Sequence, residues 1–239
     1  MRVATYNAHR GRDSFGRFGP ERIAGVIAEI APDLIALQEA QHWLRPGRGM
    51  FDAAAIEAAT GLRPLDVTGR VGEQGWRGNV VLVRREARLL RPPVGLRLGG
   101  WEPRGGVLAE LDLGVGPFRV VATHLSLSGG RRRLQAAAIL AALRSGPPMP
   151  TLLLGDLNEW RPAGSALAVL AELFGTPRPA PTFPAFQPRL SLDRIMGYPP
   201  GLVGDLAVHD SPLARRASDH LPLTARVEPR GLPGAGLPG

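Results

Sequence analysis

The run Thr151-Leu-Leu-Leu-Gly-Asp-Leu-Asn, ending at Asn158, constrains the fold more than any other stretch of the chain. A half-solvated strand alternates apolar and polar residues. An unbroken apolar run stopped by Gly155 and Asp156 is instead a buried strand. Other short apolar segments read as strands: Val3 to Tyr6, Leu34 to Leu37, Asn79 to Val83, Val107 to Leu113, Phe118 to Thr123, Leu190 to Ile195 and Leu221 to Val227. Helices are predicted over Glu21 to Ile30, where Ile23, Val26, Ile27 and Ile30 fall at helical spacing, and over Phe51 to Thr60, closed by Gly61. Arg131 to Arg144 and Ala163 to Phe174 follow the same pattern. The elements alternate without a clean βαβ rhythm, and several strands are neighbours in sequence. A mixed sheet, or two stacked sheets with helices outside, accounts for that order.

The 239 residues suit one domain over residues 1–228, followed by a Gly- and Pro-rich tail, 229–239, expected to be disordered. Hydrophobic residues make up 44% and aromatics 5%, so the core is built mainly from Leu, Val, Ile and Ala. Cysteine is absent, which excludes a disulfide scaffold, a thiolate metal site and a cysteine nucleophile. No apolar stretch approaches the ~20 residues that span a bilayer. The N-terminus does not read as a signal peptide, so a cytoplasmic monomer is the expectation. The formal charge is +8, and all 29 basic residues are arginine. With 31 Gly and 24 Pro, this points to a coding bias, and the positive charge permits phosphate-bearing partners without diagnosing them.

The polar residues fall at the ends of the apolar runs: Asn7 after the first strand, Gln38 and Glu39 after the second, Thr123 and His124, then Asp156 and Asn158. Asp193 sits inside Leu-Asp-Arg-Ile, and Asp219 and His220 precede the last strand. Catalytic groups are commonly carried where a rigid scaffold hands over to loops. Carboxylates and amides in this number suit a hard cation such as Mg²⁺, and histidine suits proton transfer near neutral pH.

The ordered series Thr5-Tyr6-Asn7, Gln38-Glu39, Gly78-Asn79, Thr123-His124-Leu125, Gly155-Asp156-Leu157-Asn158, Leu192-Asp193-Arg194-Ile195 and Ser218-Asp219-His220-Leu221-Pro222 resembles the endonuclease/exonuclease/phosphatase superfamily from about Arg2 to Val227. The resemblance implies a four-layer α/β/β/α sandwich of two mixed sheets flanked by helices. It implies a Mg²⁺- or Mn²⁺-dependent phosphoester hydrolase with Glu39 as principal metal ligand, Asn7 beside it and Asp219 on the metal side. His220 would be the base that activates water, with Asp193 orienting its ring. Asp156 and Asn158 would handle the phosphate and the departing oxygen, with Asn7 also touching substrate. His124 would contact the phosphate or assist the leaving group, and its presence disfavours the abasic-site repair branch. The family often has a tyrosine shortly before Gly78-Asn79; here Trp76 and Arg77 stand in its place, so Arg77 and Arg104 are the candidate phosphate contacts. Phosphodiesters, nucleic acid among them, are the leading substrate class. The alternatives are phospholipid or other phosphomonoesters, and a non-catalytic binding module on the same fold.

Bland readings attach to other residues. His9, His42 and His209 read as loop or surface histidines, and Arg131, Arg132 and Arg133 as a solvated face. Trp160 is expected near the site; Trp43 and Trp101 are expected to rim the cleft or plug the core. Peripheral membrane contact would need an exposed apolar loop near the cleft, for which residues 196–203 and 43–51 are the candidates.

Overall fold

The computed structural model describes residues 1–41, 49–70, 72–100 and 104–229. Twelve strands form two six-stranded sheets. In the first, β1 (Arg2–Asn7) lies parallel to β2 (Leu34–Gln38) and antiparallel to β12 (Leu223–Val227). β4 (Val80–Arg84) and β3 (Leu62–Pro64) extend it on one side, and β11 (Val203–Val208) forms the other edge. In the second, β10 (Asp193–Tyr198), β9 (Thr151–Asp156), β8 (Pro117–His124) and β7 (Gly105–Asp112) lie side by side. β5 (Arg88–Leu89) and β6 (Val94–Arg97) both pair with β7.

Side chains alternate across a strand, so each strand feeds two layers. Leu152 and Leu154 of β9 join Val120, Ala122, Val3, Leu34 and Ala36 in the core between the sheets. Leu153 points the other way, beneath α3 (Gly129–Arg144) and α4 (Ser165–Phe174) with Ile139, Leu140 and Leu170. On the far side, α1 (Pro20–Ile30) and α2 (Ala53–Thr60) lay Ile23, Ile27 and Ile56 on Ala4, Tyr6, Ile35 and Leu37. That is the expected order of layers: helices, sheet, sheet, helices.

Most predicted elements stand within two residues of their observed ends. The exception is β10, which begins at Asp193 rather than Leu190, because Leu190 is held in an isolated bridge to Phe183. The strands β3, β5, β6 and β11, a short helical turn over His9–Gly11 and a four-residue helix α5 (Ala214–Ala217) were not predicted. Of the two loops offered for membrane contact, residues 196–203 do not serve. Met196 and Leu202 are buried, and Tyr198 pairs with Thr151 at the opposite end of β9 from Asp156. Residues 42–48 fall outside the described residues, and with them His42 and Trp43; so do Trp101 and residues 230–239 of the tail. No described helix is long and apolar enough to cross a membrane.

Candidate active site

Sheet register builds the centre of the site. Asp156 ends β9; it is paired on one side with His124, which ends β8, and on the other with Asp193, which starts β10. Three chemistry-bearing residues therefore occupy one rung of the second sheet. They share the parity of Leu154, Ala122 and Ile195, so they point into the gap between the sheets at its upper edge. Asn7 and Gln38 form the matching rung of the first sheet, with the inward parity of Val3 and Ala36. The rungs meet where Asn7 Nδ2 donates to Asp156 Oδ2 across the gap at 3.0 Å.

The alternation of strands continues into the loops. Asp156 Oδ1 accepts from the backbone N–H of Asn158 (2.9 Å), closing an Asx turn, so the bland reading and the sharp one describe the same loop. That turn aims Asn158 Nδ2 at the Leu125 carbonyl (3.0 Å) and at His124 Nε2 (3.1 Å). His220 packs against the Phe183 ring at 4.8 Å and pairs through Nδ1 with Asp193 Oδ2 at 2.8 Å. Thr182 Oγ1 donates to the same oxygen at 2.5 Å, while Asp193 Oδ1 is buried without a hydrogen-bond partner. Asp219 and Glu39 are more open: Asp219 Oδ1 accepts from Ser218 Oγ at 3.3 Å and is 3.7 Å from His9 Nδ1, and Glu39 Oε2 is 3.8 Å from Arg10 Nε. A cleft of about 300 Å³ lies beside them, lined by Glu39, His124, Arg10, Arg77, Arg104 and Leu127.

The two histidines are driven in opposite directions. Burial lowers the pKa of His124, and the adjacent Arg104 adds to that against the opposing pull of Asp156. Donors face both ring nitrogens of His124: Arg104 Nη1 stands 2.7 Å from Nδ1 and 3.1 Å from Nε2, and Asn158 Nδ2 stands 3.1 Å from Nε2, which also lies 3.4 Å from Asp156 Oδ2. Burial also works against a charged His220, but Asp193, Asp156 and Asp219 outweigh it and push its pKa up to about 10. His220 therefore holds both ring protons at neutral pH and donates from Nδ1 to Asp193. Asp156 is buried, yet its carboxyl is held below the usual range by these two rings and its own hydrogen bonds.

Left-handed backbone is concentrated here. Among the described residues, seven that are not glycine have positive φ. Five of them are His9, Arg10, Glu39, Arg77 and Asn158, at or beside the cleft. Strain of this kind persists where the surroundings fix the backbone, and it clusters at functional sites.

The donor set fits a hard divalent cation. Glu39, Asp219 and Asp156 offer carboxylate oxygens, Asn7 an amide, and no sulfur is present. One oxygen of Asp156, one of Asp193 and a ring nitrogen of His220 lie within 4.8 Å of one another, a second grouping able to hold an ion. In that trio Asp193 accepts two hydrogen bonds through Oδ2 and leaves Oδ1 without a partner.

Sequence reasoning set aside four contributors. His9 donates its backbone N–H to Asn7 Oδ1 (3.1 Å) and stands beside Asp219. Ser218 Oγ donates to the Asn7 carbonyl (2.7 Å), tying β1 to the Asp219-His220 loop; its place in Ser-Asp-His was the available signal. Thr182 lies in Pro181-Thr182-Phe183-Pro184, and its hydroxyl bonds Asp193. Arg132 overturns the solvated-face reading, since it is buried. Its Nη2 pairs with Glu159 (3.0 Å) and its Nη1 donates to the carbonyls of Ser126 (3.3 Å) and Leu127 (2.5 Å). It thereby joins the loop after His124 to the loop after Asn158. Arg77 donates to the Arg104 carbonyl (3.2 Å), so the two arginines named from sequence lie together on the cleft wall. Trp160 is exposed two residues beyond Asn158, with Arg161 over its ring at 5.2 Å. His209 lies apart, paired with Glu29 at 2.9 Å.

Two facing sheets with carboxylates, histidines and amides gathered at one edge of the gap describe the sandwich class of phosphoester hydrolases. The chain belongs to the Endonuclease/Exonuclease/phosphatase family, whose model matches residues 4–220. It is similar to the Escherichia coli protein YbhP, named as uncharacterized, at 29% identity over 95% of this chain and 96% of that one. Among solved structures it resembles an endonuclease/exonuclease/phosphatase from Beutenbergia cavernae, with 25% identity and a TM-score of 0.67 over 95% of this chain and 71% of the other. A mannosyl-6-phosphatase from Bacteroides thetaiotaomicron shares the fold at 18% identity, with a TM-score of 0.64 over 95% and 99% of the two chains.

Proposed function

We propose that this chain is a divalent-metal-dependent phosphodiesterase in which Glu39, with Asn7 and Asp219, holds one Mg²⁺ or Mn²⁺ ion. The observation that carries the reading is the single rung His124–Asp156–Asp193, closed from the other sheet by Asn7 and capped by His220. When bound, the ion supplies positive charge to the phosphoryl oxygens and to the charge that develops during attack.

The chain's own residues do the rest. Asp193 and Thr182 fix the His220 ring, so that Nε2 faces the gap beside Asp156 as the proton acceptor for the attacking water. Asp193, Asp156 and Asp219, which hold the extra proton on His220, include carboxylates that a cation would neutralise. The base role rests on that neutralisation. Asn158 is a neutral donor suited to an anionic oxygen, and Asn7 bridges it to the metal side. His124, whose burial favours the neutral ring, contacts the phosphate or assists the departing oxygen. Arg77 and Arg104 offer fixed positive charge to a phosphate entering the cleft.

Hydrolysis of bis(p-nitrophenyl) phosphate beside p-nitrophenyl phosphate and plasmid DNA, each with Mg²⁺, Mn²⁺ or a chelator, tests this. The expected result is turnover of a diester that needs the ion and disappears in Glu39→Ala. Turnover that survives the chelator or the substitution sinks the proposal. A preference for the monoester selects the phosphatase alternative.

A further inference from the structure

We infer that Glu159 is a positioning residue: it ties the three strand ends of the rung to one another and sets Asn158 and His124 for their work on the phosphate. The catalytic clause rests on the phosphoester-hydrolase reading above; the tie itself does not.

Glu159 follows Asn158 in the turn that leaves β9, and its side chain is buried. A carboxylate enclosed in this way needs partners, and it has them. Oε2 accepts from Arg132 Nη2 at 3.0 Å and from Ser165 Oγ at 2.8 Å, and Oε1 accepts from the Arg161 backbone N–H at 3.2 Å. The chain closes tightly over it. A side-chain carbon on Gly164 would lie 2.2 Å from the carboxyl carbon of Glu159.

From this one residue, bonds reach both neighbouring strands. Toward β8, Arg132 Nη1 donates to the Ser126 and Leu127 carbonyls, while the Leu125 carbonyl accepts from Asn158 Nδ2. Three successive carbonyls of the loop after His124 therefore face the turn after Asp156. Toward β10, the Glu159 carbonyl accepts from Arg194 Nη2 at 3.1 Å, and Arg194 Nη1 donates to the Asp193 carbonyl at 2.9 Å. His124, Asp156 and Asp193 are thus joined twice, once by sheet pairing and again through Glu159. Asn158 stands between the two joins with its backbone left-handed at φ 50°.

A buried ion pair adds little net stability over apolar groups of the same volume, but its hydrogen bonds have direction. The same two helices, α3 and α4, are also bridged at their other ends by Arg144 and Glu172, an exposed pair at 3.1 Å. Holding α3 to α4 therefore does not require charge buried under the site. The proposed phosphate contacts Arg77 and Arg104 stand on other loops. Loss of the tie should then slow the chemical step more than it weakens binding.

The test replaces the pair as a unit, Arg132→Met with Glu159→Leu, and takes Arg144→Met with Glu172→Leu as the control. Both variants should fold, and turnover is expressed per folded molecule. With bis(p-nitrophenyl) phosphate and Mg²⁺, the buried-pair variant should lose between about ten- and a hundredfold in kcat with KM within roughly twofold, and the control should lose nothing. Arg132→Lys keeps the charge but not the fork that reaches Glu159 and the two carbonyls together, so it should recover only part of kcat. Amide exchange read by NMR does not depend on turnover. Relative to the Leu153 amide of β9, the Asn158 amide, which donates to Asp156, should exchange roughly tenfold faster in the buried-pair variant and as in the wild type in the control. Unchanged kcat in the buried-pair variant, or in Arg132→Lys where the double variant does not fold, overturns the inference. So does a loss carried by KM alone, or unaltered exchange at Asn158. If no protein hydrolyses the diester while Asn158 exchange still rises, the tie stands and the hydrolase reading falls.

Discussion

Strand β8 carries a buried titratable side chain near each end, Arg119 by its start and His124 at its finish. Arg119 is wholly enclosed. Its Nε and Nη2 donate to Glu110 Oε1 at 3.0 and 2.7 Å, and its remaining N–H groups reach the carbonyls of Leu143 (3.4 Å) and Pro147 (2.9 Å). That end ties the β7–β8 pair to the close of α3, and its donors find acceptors within the chain. At the other end Asp193 Oδ1 is buried without a hydrogen-bond partner, Glu39 stands 3.8 Å from Arg10 and Asp219 3.7 Å from His9, and the backbone is left-handed at five non-glycine residues. Burial of charge alone does not mark a functional site. Incomplete pairing combined with backbone strain does, and only one end of this strand has both.

Breaking the complete end should have the larger effect on stability and none on chemistry. Arg119→Met removes one of the two cations beside the buried Glu110, leaving Arg91 Nε 2.7 Å from Oε2, and gives up the bonds to the Leu143 and Pro147 carbonyls, which together costs about 3 kcal/mol. For a chain of this length that is roughly 10 °C in the thermal midpoint, readable by calorimetry, with turnover per folded molecule unchanged. A variant that unfolds normally but loses turnover would erase the contrast.

The pH response should separate the two ends next. The His220 pKa is raised in the folded protein, to about 10 from an ordinary 6.5. Its contribution to stability is therefore fully present below pH 6.5 and is lost as the pH rises toward 10. Urea midpoints of chelator-treated protein should fall across that window, and in His220→Gln the fall should be shallower. Equal slopes in the two proteins would deny the pairing with Asp193.

The smallest effect tests strain. Glu39 has φ 51° and Ala31, at the end of α1, has φ 46°. Glycine removes the Cβ penalty at either place, a gain of about 1 kcal/mol before the cost of a freer unfolded chain. Glu39→Gly should raise the thermal midpoint by a few degrees while abolishing metal-dependent turnover. Ala31→Gly should raise it similarly and leave turnover intact. A loss of stability in Glu39→Gly would mean that its carboxylate, not its backbone, dominates.

The layered core was legible because Thr151 to Leu154 is apolar on both faces and α1 repeats isoleucine and valine at helical spacing. The edge strands were not. β5 is exposed throughout, and β11 is mostly exposed with a register shift between Gly204 and Ala207, so neither has a periodic apolar face to read. At the site, the residues named from sequence lie in motifs whose order survives in one dimension. Those missed act through backbone atoms or from remote segments. Ser218 bonds a carbonyl 211 residues away, and Arg132 looked like its neighbours Arg131 and Arg133 until tertiary structure buried it alone. The expectation of an apolar loop at residues 196–203 finds no support there because Met196 and Leu202 are consumed by the core.

The shared rung sets where the gene can lengthen. Thr123 and Gly155 are paired one step below His124 and Asp156, and a Cβ on Gly155 would lie 1.8 Å from the Thr123 carbonyl oxygen. The two backbones are in contact there, and the pairing cannot slide past that point. Inserting one codon within β9 would turn Asp156 to the helix side and bring Gly155 into its place facing the gap. The same codon placed in the Gly114–Gly116 turn between β7 and β8 would be absorbed outside the pairing. Length variation among descendants of this sequence should therefore collect in the turns and stop short of three strand ends, so that insertions and deletions, more than substitutions, outline the catalytic edge.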